Sequence, residues 1–79
     1  MTTTEIEKIS EKVVWYGRQL PYITDGEKCS NMACELRELR DTLLEYASDE
    51  TAKLQLTAYA LAEYIVIIEE KFQEKYIEL

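Results

Sequence analysis

The chain has 79 residues and a formal net charge of −7, with 16 acidic and nine basic side chains and no histidine. This length allows one domain, residues 1–79, whose stability is usually marginal without a disulfide, a metal or a partner subunit. The charge argues against direct binding to nucleic acid or to an anionic membrane, because both need clustered Lys and Arg. Two glycines and one proline are too few turn residues for a many-stranded β protein, so an all-α fold is predicted.

The first predicted helix covers about residues 5–20. Thr4 and Glu7 fit a capping box, in which each side chain satisfies a backbone amide near the other. Apolar residues then recur at spacings of three and four, as in a helix packed along one seam. The seam residues are Ile6, Ile9, Val13, Tyr16 and Leu20. Pro21 disfavours helical geometry at the preceding residue, so this helix is predicted to end there.

The second predicted helix covers about residues 27–47, after a loop in which Thr24 and Glu27 fit another capping box. Its seam residues are Cys29, Met32, Leu36, Leu39, Leu43 and Tyr46. Cys29 and Cys34 are five residues apart, which sets them about 140° apart around a helix. They can therefore neither form a disulfide with each other nor share a metal ion, and two free thiols are expected.

The third predicted helix covers about residues 49–77, with Ser48 as its N-cap. Its seam residues are Leu54, Ala58, Leu61, Ile65, Ile68 and Phe72. Further apolar residues widen the seam to more than half of the circumference, and these are Leu56, Tyr59, Ala60, Tyr64, Val66 and Ile67. Such a helix must be covered by its own chain or by another. We predict a small three-helix bundle in which helices 2 and 3 form an antiparallel hairpin; one continuous helix over residues 27–79 is the competing prediction.

Catalysis is not expected from this sequence. Without histidine there is no usual general base near neutral pH and no Ser-His or Cys-His nucleophile pair. No cofactor or metal motif is present, so neither is expected. The polar, acidic N-terminus and the short apolar run over residues 64–68 show neither a secretory signal nor a membrane span, which predicts a cytoplasmic protein.

The wide apolar face of the third helix predicts a protein that works by contact. We expect a non-enzymatic module that self-associates as a homodimer or larger oligomer and covers the surface of a protein partner, as accessory and inhibitor proteins do. Aromatic residues are frequent hot spots of such interfaces. The predicted interface residues are Trp15, Tyr59, Tyr64, Val66 and Ile67.

Two alternatives remain open. An acidic decoy would block a basic nucleic-acid-binding protein by mimicking phosphates, with the carboxylates of Glu35, Glu38, Asp41, Glu45, Glu70, Glu74 and Glu78. An oligomer that sequesters a small ligand would form an aromatic pocket between its subunits from Trp15, Tyr16 and Arg18. Glu69 joins the acidic residues that crowd the negative end of the third helix, which predicts either fraying or a basic partner surface there.

Overall fold

The computed structural model describes residues 2–47 and 52–79. Over these residues the chain forms helix α1 (Thr3–Gln19), helix α2 (Gly26–Ala47) and helix α3 (Ala52–Glu78), with a short 3₁₀ turn (Leu20–Tyr22) between the first two. The predicted all-α fold with three helices is confirmed. The predicted Ser48 cap lies outside the described residues.

The N-cap of helix α1 lies two residues before the predicted cap, Thr4. Thr2 is the N-cap, and its Oγ1 accepts a hydrogen bond from the backbone N–H of Glu5 at 3.2 Å. The capping box predicted at Thr4 and Glu7 is therefore wrong. Three consecutive threonines offer the same hydroxyl, and the first of them has a glutamate three residues later, which completes the box earlier.

Helix α2 is capped by Asp25 instead of Thr24. The Asp25 carboxylate accepts from the N–H of Glu27 at 3.0 Å, and the Asp25 carbonyl accepts from the N–H of Cys29 at 3.0 Å. The predicted pairing of Thr24 with Glu27 is therefore wrong. An aspartate side chain accepts hydrogen bonds from the backbone amides of the first turn as well as a threonine does. Its negative charge is also stabilised by the positive end of the helix dipole.

The three predicted seams meet in one apolar core. The largest fully buried side chains are Val13, Cys29, Leu36, Leu43, Ile65 and Phe72. Every predicted seam residue of α1 and α3 is buried or half-buried. The seam of α2 differs at its end, where Tyr46 is exposed and Ala47 is buried in its place.

Helices α2 and α3 form the antiparallel hairpin that was predicted. Cys29, in the first turn of α2, places its Sγ 3.2 Å from the carbonyl oxygen of Phe72, near the end of α3. Gly26 lies against the ring of Tyr76, one turn further along. Because the two helices pack side by side, the competing prediction of one continuous helix is wrong.

Helix α1 covers one side of the hairpin and runs antiparallel to α2. The Tyr16 hydroxyl donates a hydrogen bond to Glu35 of α2. Gly17 faces Ile68 of α3, whose Cδ1 lies 3.7 Å from where a Cβ of residue 17 would be. The molecule measures 42 × 17 × 15 Å. On the opposite side, the groove between α2 and α3 has no further helix against it among the described elements.

Candidate interaction surfaces

Exposed apolar side chains concentrate on the face of α3 that points away from the core. Leu56 is 72% exposed and Ile67 is 51% exposed, and three more large apolar residues between them are also exposed. The full set is Leu56, Tyr59, Tyr64, Val66 and Ile67, which we call the outer α3 surface. It extends over about three helical turns, or roughly 17 Å.

The outer α3 surface wraps around the helix instead of forming one stripe. Val66 lies on the α2 side, beside Arg37. Tyr64 precedes Ile68 by one turn and so lies on the side of α1. Val66 and Ile67 were predicted to share one flank, but consecutive helical residues are about 100° apart, and Ile67 points away from both neighbouring helices. Four of the five predicted interface residues thus lie on the outer α3 surface. That they contact a partner remains a prediction.

Trp15, the fifth predicted interface residue, lies on α1. It is half exposed, and its ring packs edge-on against Tyr16, with 5.2 Å between the ring centroids. Arg18 follows Tyr16 by two residues and therefore points about 160° away from it around the helix. The groove that Tyr16 lines is completed by α2 and includes neither Trp15 nor Arg18. Within one chain these three residues therefore do not surround one cavity, and a pocket that they form between subunits remains a prediction.

Tyr16 acts as a link between α1 and α2. Its side chain is buried, and its hydroxyl donates to the Glu35 carboxylate. Burial, followed by the hydrogen bond and the negative charges of Glu35 and Glu38, raises the pKa of Tyr16 to about 12 from an ordinary value of 10.0. The neutral phenol is the form that the folded state stabilises.

This link predicts a loss of stability in alkali. Because the pKa of Tyr16 is higher in the folded state than in the unfolded state, the neutral phenol adds to the free energy of unfolding. This contribution is complete below about pH 10 and disappears as the pH rises through about 12. Two pKa units correspond to at most about 3 kcal/mol. We expect Tyr16→Phe to cost about 1 kcal/mol at neutral pH and to show a shallower alkaline loss than the wild type, measured by urea unfolding across this pH range. Tyr22→Phe, at an exposed position, is the matched control, and parallel pH curves for Tyr16→Phe and wild type would contradict the assignment.

Glu69 is buried, which corrects the prediction that it belongs to a crowded acidic terminus. Its side chain is only 8% exposed, and its Oε2 lies 2.6 Å from Nη1 of Arg40. The other oxygen, Oε1, lies 3.8 Å from Nε of Arg37. Glu69 follows the buried Ile65 by one turn, so it lies at the edge of the core that faces α2. The negative charge is therefore balanced across the hairpin.

The predicted acidic surface is divided between two helices. In the antiparallel hairpin, Glu74 and Glu78 lie level with the first turn of α2, whereas Asp41 and Glu45 lie in its last two turns. Glu35 is already engaged by α1 through the tyrosine hydroxyl. Glu74 and Glu78 therefore lie at the opposite end of the hairpin from Asp41 and Glu45, and a shared acidic surface remains a prediction.

Comparisons of the chain with protein families, with curated proteins and with solved structures find no match. None of the described helices is long and apolar enough to cross a membrane. Residues 2–47 and 52–79 contain no group of three or more Cys, Asp or Glu side chains that could hold a metal ion.

Proposed function

We propose that this chain is a non-enzymatic binding module that self-associates and contacts a protein partner through the outer α3 surface. The observation that carries the proposal is the exposure of five large apolar side chains within residues 56–67. Contiguous apolar patches of this kind mark interaction sites on soluble proteins. Their burial at an interface would contribute about 25 cal/mol for each Å² of apolar surface removed from water.

The charge pattern favours a second copy of the chain as one occupant of this surface. Glu63 is the only charged residue among residues 56–67, although 32% of the whole chain is charged. Two copies can therefore meet there with little local repulsion, despite a net charge of −7 on each. Tyr59 and Tyr64 suit an interface because a tyrosine buries its ring while its hydroxyl still reaches water or a polar partner.

The shape indicates how a partner would be contacted. Side chains that wrap around the outer half of α3 form a convex ridge, and a ridge of this type fits a groove between helices on another protein. The mode is that of a helix bound in a groove, with the rest of the molecule holding α3 in its folded conformation. Preorganisation of this kind lowers the entropy cost of binding.

A charge placed in the outer α3 surface should prevent assembly. We expect wild-type protein at micromolar concentration to sediment as a species heavier than the 9.3 kDa chain. Ile67→Lys should weaken this association at least about tenfold, because an ammonium is costly to remove from water even when Glu63, one turn away, pairs with it. Circular dichroism should show unchanged helicity. Ile77→Lys makes the same change at a more exposed apolar position of α3 outside this surface, and it should associate like the wild type.

Salt dependence separates apolar association from binding through carboxylates. An acidic decoy should release its partner steeply as ionic strength rises, because its attraction is screened. Association through the outer α3 surface should stay constant or strengthen between about 0.05 and 0.5 M salt, since screening also reduces the repulsion between two acidic chains. A helical wild-type monomer of 9.3 kDa under all these conditions would contradict self-association.

A further inference from the structure

We infer that the groove between α2 and α3 binds a small molecule that has an apolar body and one anionic group. The groove lies on the side of the hairpin opposite α1 and has a volume of about 350 Å³. Pockets for small ligands usually measure about 300–1,000 Å³. This site goes beyond the proposed protein contact, because none of its lining residues belongs to the outer α3 surface.

The floor of the groove is apolar. Cys29 and Phe72 lie beneath it with fully buried side chains, so a ligand would rest on the residues above them. Burial raises the pKa of the Cys29 thiol, although the positive charge of Lys75 acts in the opposite direction. The thiol therefore remains neutral at physiological pH and donates to the Phe72 carbonyl oxygen, 3.2 Å away. Above this floor, α2 contributes the short side chains of Ser30 and Ala33, which leave the space unfilled.

The walls of the groove are apolar and exposed to water. Tyr76 and Ile77 come from the last turns of α3, and Ile77 is 83% exposed. The Tyr76 ring lies against Gly26, with 3.6 Å between its Cε2 and the position that a Cβ of residue 26 would occupy. A ligand with an apolar body would remove these walls from water, and that burial is the main favourable contribution to its binding.

Arg37 selects the anionic group. The Glu69 carboxylate already has Arg40 at 2.6 Å, whereas the Nε of Arg37 is 3.8 Å from Glu69 and the Arg37 side chain is 59% exposed. Its guanidinium therefore retains donors for a carboxylate, sulfonate or phosphate, which it can bind in a bidentate manner. Glu70 lines the adjacent recess with Arg37 and competes for it. This competition favours an anion that also brings apolar surface over a simple inorganic one.

Octanoate and 1-octanol test the inference as a matched pair that differs in charge. Cys34 lines the groove and is exposed, whereas Cys29 is buried, so the alkylation of Cys34 by neutral iodoacetamide reports on occupancy of the groove. Octanoate at millimolar concentration should slow this alkylation several-fold. Arg37→Gln should weaken the octanoate effect about tenfold and leave the octanol effect unchanged, because only the charged contact is lost.

Two further variants locate the site. Ala33→Leu fills the groove and should remove protection by both ligands, with helicity checked by circular dichroism. Arg18→Gln removes an exposed arginine of α1 that does not line the groove, and it should behave as the wild type. The inference is overturned if octanoate gives no protection of Cys34, if it protects Arg37→Gln as well as wild type, or if folded Ala33→Leu is still protected.

Discussion

Replacement of Phe72 by alanine should lower the free energy of unfolding by about 3–5 kcal/mol. Phe72 is fully buried and belongs to the core cluster that joins the three helices. Removal of the ring loses its transfer free energy and leaves a cavity that a small bundle can refill only in part. A domain of this length has a total stability of about 4–12 kcal/mol, so this loss is a large fraction of the total.

Urea unfolding followed by circular dichroism measures this loss, at one fixed protein concentration because self-association would shift the midpoint. Phe72→Leu keeps most of the volume and should cost less than about 1.5 kcal/mol. Tyr22→Ala removes a ring of similar size from a position that is 80% exposed, and it should change stability by less than about 0.5 kcal/mol. A loss below about 1 kcal/mol for Phe72→Ala would show that the ring is not part of the core.

Helical periodicity was sufficient to predict most of the core. Val13, Leu36 and Ile65 were assigned to seams from spacing alone, and all three are fully buried. The same reasoning left the other large apolar residues of the third helix outside the seam, where the structure exposes them, but it missed the small Ala62, which is buried. Periodicity works here because a helix in a small bundle buries one face and the burial pattern repeats with each turn.

The assignment of Tyr46 to the α2 seam was wrong for a geometric reason. The predicted seam used alternating steps of three and four, which average 3.5 residues per turn, whereas a straight helix has 3.6. Five turns from Cys29 therefore lead to Ala47 and not to Tyr46. The small alanine side chain also allows close packing, and Ala47 and Ala58 are both buried near the end of the hairpin.

The features between α2 and α3 could not be predicted from spacing. Glu69 looked like one more acid at a helix terminus, and nothing in the spacing of residues paired it with Arg37 or Arg40. Whether Glu69 meets these arginines depends on the axial register of α3 against α2. That register is set by the connection and by the packing of the whole hairpin. The groove beside Arg37 depends on the same axial register, because its residues come from the beginning of α2 and the end of α3.

The buried carboxylate of Glu69 predicts the second large effect on stability. Arg40→Leu removes its closest partner and leaves a charge that is 6% exposed with only the more distant guanidinium of Arg37. Breaking a buried ion pair typically costs about 3–5 kcal/mol, and movement of Arg37 should recover part of it. We therefore expect Arg40→Leu to lose about 2–4 kcal/mol in urea unfolding.

Two matched variants decide whether the short contact or the pair of arginines holds Glu69. Arg37→Leu makes the same change one turn away, at a longer distance and a more exposed position, and should cost less than about 1 kcal/mol. The double variant Arg40→Leu with Glu69→Leu should recover most of the stability, because apolar residues can replace a buried ion pair at little cost. Equal losses for the two single arginine variants would contradict this assignment. Arg37 would then be committed to Glu69, and its guanidinium could not serve an anion in the groove.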